Sequence, residues 1–229
     1  MNKDSLGDRM KKNYESPYRI VLPWRTPVII RVDGKNFHSL TKSADKPFDA
    51  GFIAAMHEVA IRLVFEVQTA VISYQQSDEV SILLHNYKNL DTEPWFGNNL
   101  QKITSLAAAI ASVAFTNAYG KRGLFDARAF VLPEAEVNNY FVWRQKDAER
   151  NSIQMLAQSL FSHKELHLKK ISDLHEMLHT KDVNWNDLET SKKRGICAKR
   201  IENGDPIDYD IPIFAQNRNY IEDLLKTNE

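Results

Sequence analysis

The sequence contains a single cysteine, Cys197, among 229 residues. One cysteine excludes an internal disulfide and is typical of a reducing compartment. The longest apolar run, residues 106–115, is far shorter than the roughly 20 residues that a membrane-spanning helix needs. The polar N-terminus also lacks the apolar stretch of a signal peptide. We therefore expect a cytoplasmic protein that does not contact a membrane.

The chain also has no excess of positive or negative charge. Lysine and arginine total 30 residues, and so do aspartate and glutamate, so net charge indicates no class of partner. Hydrophobic residues make up 43% of the chain and charged residues 26%. Such a chain can bury a core in one large domain, or in one domain with an appendage.

Six segments in the first part of the chain have the periodicity of strands or helices. In order they are strand 27–34, helix 46–67, strands 69–74 and 80–84, helix 99–119 and strand 125–132. The short polar link between the second and third strands predicts an antiparallel hairpin. The order predicts an α+β fold: a ferredoxin-like, polymerase-palm antiparallel sheet (βαββαβ) with its helices on one face.

The rest of the chain predicts additional C-terminal helices and a hairpin. Residues 136–161 have the pattern of one long helix, and residues 162–165 have the form of a capping box that opens another. Asn-Gly-Asp-Pro at 203–206 is a turn signal. We assign residues 1–135 to a palm-like catalytic domain and residues 136–229 to an extension packed on it, with one continuous domain as the alternative.

Two adjacent acids, Asp78 and Glu79, precede the apolar strand 80–84, where an ionised carboxylate loses hydration. In the predicted sheet, Asp33 at the end of the first strand can meet Asp78. Converging carboxylates suit a pair of Mg²⁺ ions, which prefer oxygen ligands and clamp the oxygens of a phosphoryl transfer. Adjacent strand residues point to opposite faces, so we assign the metal to Asp78 and a supporting catalytic role to Glu79. An ordinary polar turn is the alternative.

The segment that follows Asp33 has the composition of a phosphate site. Gly34 permits close approach of the backbone, and the amide groups after it can form a nest for a triphosphate. Nearby groups that can add charge, stacking or hydrogen bonds are Lys35, Lys42, Lys46, Phe37 and His38. By spacing alone this is a weak signal.

The chain resembles the tRNA-His guanylyltransferase family in two literal strings, "RVDGKNFHSLTK" (31–42) and "QSDEVSILL" (76–84). Enzymes of this family add nucleotides in the 3′-to-5′ direction. Residues 125–152 and the "KKRGIC" element at 192–197 resemble further stretches that the family shares. The resemblance covers roughly residues 25–200.

This resemblance implies a palm-like nucleotidyltransferase in which the 3′-hydroxyl of an incoming nucleotide attacks the activated 5′ end of an RNA. It implies that Asp33, Asp78 and the Gly34 carbonyl hold two Mg²⁺ ions, and that ATP and GTP are substrates. The residues implied to bind the nucleotide are Asp33, Gly34, Lys35, Asn36, Phe37, His38, Lys46, Ser77 and Asp78. The implied partner is tRNA, and the implied assembly is a homo-tetramer.

One departure from the family pattern bears on the substrate. Relatives dedicated to tRNA-His carry His-Ile-Asn-Asn after a Trp-Arg-Gln block, and here the corresponding residues are Glu149, Arg150, Asn151 and Ser152. The missing histidine favours the guanylyltransferase-like branch, which resembles a template-dependent polymerase that repairs 5′-truncated tRNAs. A strict tRNA-His guanylyltransferase is the alternative.

A basic run at 192–200 holds five lysines and arginines without an acid. Such runs are usually solvated surface. Beside a polymerase-like site, however, Lys192, Lys193 and Arg194 become candidates to contact RNA phosphates. Arg144, in the Trp-Arg-Gln block, is a further RNA-binding candidate.

Three other functions compete with this interpretation. A nucleotide cyclase of palm fold would favour Gly-Gly before the acids, where Gln-Gln-Ser stands. A non-catalytic RNA-binding module would have no use for both aspartates. "HEMLH" at 175–179 matches a zinc-protease string, but neither Glu189 nor Glu202 is singled out as a third ligand. The alternative for this helix is packing through Met177 and Leu178.

Overall fold

The computed structural model describes residues 5–201 and 203–227. Within these residues the strands are β1 (Val28–Gly34), β2 (Ala70–Gln76), β3 (Glu79–Leu84), β4 (Phe125–Val131), β5 (Ile196–Ala198) and β6 (Ile207–Asp208). They form one sheet in the order β4-β1-β3-β2-β5-β6, and every neighbouring pair is antiparallel. The first four strands have the predicted ferredoxin-like, palm-type order, which is confirmed. The predicted C-terminal hairpin is β5–β6, which extends the sheet.

The helices are α1 (Leu6–Met10), α2 (Phe37–Leu40), α3 (Ala50–Glu66), α4 (Leu100–Tyr119), α5 (Glu134–Leu160), α6 (His163–Leu166), α7 (Ile171–His179), α8 (Thr190–Arg194) and α9 (Asn219–Glu222). Short π- or 3₁₀-helical segments occupy Lys11–Glu15, Ser16–Tyr18, Trp95–Asn98, Trp185–Asp187 and Asp223–Leu225. Helix α3 begins later than predicted because the Asp49 carboxylate accepts the Phe52 N–H at 2.6 Å and caps the helix. The predicted capping box at 162–165 is present, but it opens only the short α6.

The sheet is covered on both faces because its central strands are apolar on both. Val28 and Ile30 of β1 lie in a core with α3 and α4, while Ile29 lies in a core with Phe141 of α5. Helices α3 and α4 therefore occupy one face, as predicted, and the long C-terminal helix covers the other. This shared core joins the two parts of the chain, and the domain boundary at residue 135 stays a prediction.

Cys197 lies in the middle of β5 and is fully buried. Burial raises the pKa of its thiol far above the ordinary value, which makes the group unreactive. The residue acts as a small apolar side chain, as its isolation in the sequence indicates.

Among the helices of the described ranges, none is both long and apolar enough to cross a membrane.

Candidate active site

The catalytic candidates lie at one end of the sheet, where β1 stops and β2 turns into β3. Asp33 is the next-to-last residue of β1, and Asp78 forms the turn between β2 and β3 together with Ser77. The backbone N–H of Gly34 donates a hydrogen bond to the Asp78 carbonyl oxygen at 3.0 Å. The structure therefore brings Asp33 and Asp78 together, as the strand order predicts.

Burial and repulsion raise the pKa of both aspartates. For Asp33 the larger cause is burial, followed by repulsion from Asp126, and nearby arginines lower the pKa in part. For Asp78 the causes are burial and repulsion from Asp33. A cation bound between two such carboxylates would offset both effects. The oxygen donors fit Mg²⁺, with the Gly34 carbonyl as the predicted backbone ligand.

Glu79 is paired with a buried arginine. Its carboxylate accepts hydrogen bonds from Arg144 at 2.7 and 2.8 Å, and the two residues are 7% and 6% exposed. The same guanidinium donates to Asp147 at 2.8 Å. Burial raises the pKa of Glu79, and the charge of Arg144 lowers it in part. RNA binding by Arg144 stays a prediction, and the burial of this side chain and its two carboxylate partners argue against it.

The segment after Asp33 turns tightly into α2. Asn36 adopts a left-handed backbone with a φ of 59°. A side chain at Gly34 would collide with the ring of Phe37, since an added Cβ would lie 2.6 Å from it. Phe37 is only 3% exposed and packs against three other phenylalanine rings. Phe37 also lines the pocket beside the β2–β3 turn, and contact of its ring with a base stays a prediction.

A pocket of about 290 Å³ lies beside the β2–β3 turn. It brings together several of the predicted nucleotide-binding residues: Phe37, His38, Lys46, Ser77 and Asp78. The Lys46 ammonium group is exposed and lies 3.5 Å from the Thr41 carbonyl oxygen. Lys35 and Asn36 do not line this pocket. They line a separate open groove of about 450 Å³.

A second pocket, of about 250 Å³, continues the first. The lining residues that the two pockets share are Asp49, Phe52, Ser77 and Met155. Lys192 and Lys193, two of the predicted RNA contacts, line the second pocket. Both have partners in the chain, because Lys192 pairs with Glu189 at 3.2 Å and Lys193 donates to the Asn186 carbonyl at 2.6 Å.

The four residues that depart from the family pattern lie on α5. Glu149, in place of the histidine, forms an ion pair with Arg194 at 3.0 Å. The Ser152 hydroxyl accepts the indole N–H of Trp185 at 3.0 Å. Asn151 lines the second pocket. The charge of Arg194, a predicted RNA contact, is therefore balanced by a residue of this same departure.

Three charged residues beside Asp33 are missing from the sequence-based prediction. Asp126 on β4 is the register partner of Asp33, and Arg128 is the partner of Arg31. Asp126 raises the pKa of Asp33, and both arginines lower it. The βαββαβ order places β1 between β3 and β4. An antiparallel alignment of the β1 and β4 segments in the sequence would have placed these side chains beside Asp33.

The HEMLH string lies on α7, which packs against α5. Leu174 and Leu178 are buried in a core with α5, and Met177 is partly buried, which confirms the packing interpretation. His175 lies against the Trp185 ring. Within residues 5–201 and 203–227, no group of three or more His, Cys, Asp or Glu is placed to hold a metal. Glu202, a candidate third zinc ligand, lies outside the described residues.

Known proteins similar to this chain point to one family. Residues 7–133 match the family described as Thg1, tRNAHis guanylyltransferase. The chain is 25% identical over 230 residues to uncharacterized protein R259 of Acanthamoeba polyphaga mimivirus, with 86% of this chain and 77% of that protein covered. It is 29% identical over 154 residues to a probable tRNA(His) guanylyltransferase of Dictyostelium discoideum. That match covers 62% of this chain, and it spans just over half, 57%, of that protein.

Two solved structures of bacterial tRNA(His) guanylyltransferase (Thg1)-like proteins are similar over almost the whole chain. The complex with ATP has a TM-score of 0.92 and 46% identity, and covers 96% of this chain and 99% of that one. The complex with GTP has a TM-score of 0.87 and 43% identity, and covers 97% and 99%. The tRNA(His) guanylyltransferase of Saccharomyces cerevisiae, at 21% identity, 90% and 98% coverage and a TM-score of 0.73, shares the fold. This chain belongs to the tRNAHis guanylyltransferase family, a family of nucleotidyltransferases.

Proposed function

We propose that this protein adds nucleotides to the 5′ end of tRNA in the 3′-to-5′ direction. The observation that carries the proposal is the meeting of Asp33 and Asp78 beside a pocket lined by Lys46 and Ser77. The family match and the relatives solved with ATP and GTP support it. The substrates are a nucleoside triphosphate and a tRNA whose 5′ end carries a triphosphate or an adenylyl group.

In the proposed reaction, the 3′-hydroxyl of the incoming nucleotide attacks the 5′-terminal phosphate of the activated RNA. A phosphodiester bond forms, the hydroxyl releases its proton to solvent water, and pyrophosphate or AMP leaves. Asp33 and Asp78, with the Gly34 carbonyl, would hold two Mg²⁺ ions, which supply Lewis-acid stabilisation of the developing charge. The contribution of the protein is position, because these residues fix where the two reacting ends meet.

We place the nucleotide in the pocket beside Asp78. Lys46 stands in its lining and can pair with triphosphate oxygens, while Ser77 and His38 offer hydrogen-bonding groups. The backbone amides of residues 34–37 are the candidates for the predicted phosphate nest.

Glu79 supports the aspartates in this proposal. It lies directly opposite Asp33 in the register of β1 and β3. Its ion pair with Arg144 ties the turn that carries Asp78 to the long helix α5. A fixed turn keeps the second aspartate in place beside the first.

We further propose that the substrate is a 5′-truncated tRNA repaired against a template, rather than tRNA-His alone. Glu149 stands where a histidine characterises the tRNA-His enzymes, and its carboxylate is ion-paired with Arg194. Lys192 and Lys193 remain candidates to contact RNA from the second pocket. The homo-tetramer and the cytoplasmic location remain predictions from the sequence.

The test is a gel assay with Mg²⁺ and nucleoside triphosphates on two RNAs. One is a tRNA that lacks its first 5′ nucleotide, and the other is a tRNA-His transcript without its extra 5′ guanosine. We expect preferential, templated filling of the truncated end. Guanosine addition confined to tRNA-His would instead assign the strict activity.

The controls for this assay are Asp33→Asn and Asp78→Asn, which keep the side-chain shape and remove the charge. Each is expected to abolish addition to both RNAs, and retained addition by either would contradict the proposed site. If the wild type extends neither RNA, formation of a cyclic nucleotide from the same triphosphates separates a cyclase from a binding module.

A further inference from the structure

An open groove lies outside the nucleotide pocket, next to the segment that follows Asp33. One wall is formed by Lys35, Asn36 and Leu40, and the other by Arg122 and Leu124 in the link between α4 and β4. The backbone N–H of Lys35 donates to the Leu124 carbonyl oxygen at 2.7 Å and joins the two walls. The volume of about 450 Å³ is larger than that of the pocket beside Asp78.

The groove lies towards β4 and the nucleotide pocket lies beside the Asp78 turn, and Phe37 lines both. In the sheet, β1 has β3 and the Asp78 turn on one side and β4 on the other. Gly34 pairs with Phe125, the first residue of β4, so the groove wall at 122–124 lies directly beside the catalytic end of β1. If the nucleotide occupies the pocket on the Asp78 side, the second substrate has the β4 side open to it.

The groove carries positive charge that the described residues do not neutralise. Lys35 and Arg122 are exposed, and neither pairs with a carboxylate in the described part of the chain. The neighbouring Lys121 does not line the groove, and it lies against the Tyr119 ring. In contrast, two cations of the basic run at 192–200 each pair with a glutamate. Lys35 and Arg122 therefore give this groove positive charge that is available to a ligand.

The groove also has charged, apolar and hydrogen-bonding groups, which suit the phosphates, bases and 2′-hydroxyls of RNA. Arg122 and Lys35 can neutralise phosphates that follow one another along a strand. Leu124, which is 42% exposed, and the partly buried Leu40 offer apolar contact to a sugar or a base. The exposed Asn36 amide can hydrogen-bond a 2′-hydroxyl. Cations spread along an open groove suit a strand better than the compact charge of a triphosphate.

We propose that this groove binds the RNA strand next to the reacting 5′ end. The proposal rests on the proposed function and assigns a surface to its RNA substrate. RNA then approaches Asp33 from the β4 side and the nucleotide approaches from the Asp78 side. The reacting ends of the two substrates meet at the acids.

The test measures RNA binding without catalysis. A fluorescent tRNA lacking its first 5′ nucleotide is titrated with protein in EDTA, without nucleotide, at several KCl concentrations. Lys35→Gln/Arg122→Gln is compared with the wild type and with Lys164→Gln/Lys169→Gln, which removes the same charge at exposed positions near α6. We expect the first variant to bind more weakly and its slope of log K against log[KCl] to fall by about two, one for each phosphate contact. The control should keep the wild-type slope.

Three outcomes would overturn the inference. An unchanged slope in Lys35→Gln/Arg122→Gln would exclude phosphate contacts there. An equal fall in both double variants would indicate general attraction between charges. Weaker binding of ATP with an unchanged RNA slope would assign the groove to the triphosphate. None of these binding measurements needs nucleotide addition. A result that excludes RNA binding in the groove is therefore distinguishable from a result that excludes the proposed activity.

Discussion

Arg144 and Glu79 form a side-chain pair whose importance follows from its burial. Both groups are less than one-tenth exposed, and Glu79 directly follows Asp78 in the chain. Two hydrogen bonds satisfy the carboxylate, and a third joins the guanidinium to Asp147. A buried ion pair adds little over apolar residues, but removal of one partner leaves a buried charge uncompensated. Such a pair is best detected by comparing single with double substitutions.

Arg144→Met is expected to lower the free energy of unfolding by about 3–5 kcal/mol, because Glu79 is left buried without its counter-charge. Glu79→Gln/Arg144→Met removes both charges and should recover most of the loss. Urea unfolding of the wild type, both single variants and the double variant gives the coupling energy. A double variant as unstable as Arg144→Met alone would contradict this account of the pair.

At the scale of elements, two local devices position the lining of the cleft. Asp49 caps α3, so the helix begins at Ala50 and Lys46 lies in the non-helical segment before it. Lys46 lines the pocket from that segment. Gly195 joins α8 to β5 with a φ of 84°, and an added Cβ would collide with the Gln75 carbonyl oxygen of β2. The link therefore holds the lysines of α8 against the sheet only if residue 195 has no side chain.

Asp49→Ala is expected to lower the free energy of unfolding by about 1 kcal/mol through loss of the cap. Backbone hydrogen bonds, the largest from Phe52, lower the pKa of Asp49 below its ordinary value of 3.8. A lowered pKa in the folded state stabilises the fold above the unfolded pKa, and this stabilisation is lost as pH falls through the lowered value. The wild type should therefore have a higher free energy of unfolding than Asp49→Asn at neutral pH, and this difference should vanish in acid. Chemical unfolding at both pH values checks this, and an advantage that persists in acid would count against it.

Gly195→Ala is expected to lower the free energy of unfolding by about 1–3 kcal/mol, because the left-handed backbone and the close approach both disfavour a side chain. Gly7→Ala is the matched control. Gly7 lies on the exposed α1, where an added Cβ meets only the Ser5 hydroxyl at 3.8 Å. Thermal unfolding compares the two variants, and equal losses would refute the role of the link.

At the scale of the whole molecule, the antiparallel sheet carries its candidate chemistry at one end. Helices α3 and α4 cover one face and α5 covers the other, so the acids at the strand ends are held by apolar cores on both sides. Asp33 and Asp78 have raised pKa values there. With a raised pKa in the folded state, ionisation destabilises the fold as pH rises from the unfolded pKa through the raised value. A bound cation would reverse this loss.

Mg²⁺ is accordingly expected to stabilise the wild type against unfolding in the absence of nucleotide. At a free concentration one hundred times the dissociation constant, linkage predicts about 2.7 kcal/mol. Asp33→Asn/Asp78→Asn should be at least as stable as the wild type without Mg²⁺ and should not respond to it. Thermal unfolding with and without MgCl₂ tests both statements, and equal shifts in the two proteins would place the ion elsewhere.

The elements and the two aspartates could be predicted because their signals are local. Apolar alternation and helical spacing mark β1 to β4 and the helices α3, α4 and α5, and Asp33 and Asp78 stand at strand ends in the chain itself. The boundaries were less accurate, since the start of α3 depends on the Asp49 cap and not on periodicity. Asp126 escaped prediction because its place beside Asp33 depends on the register of β4.

The order of the elements, the βαββαβ topology and the pair of acids are encoded locally, because they follow from periodicity and from residues adjacent to one another. The folded structure, in contrast, sets which charged and aromatic groups are free to act. It paired Glu79 with Arg144 across 65 positions, buried the ring of Phe37, and left Lys35 and Arg122 in an open groove. Burial and charge pairing are properties of contacts between distant segments, and local patterns do not encode them.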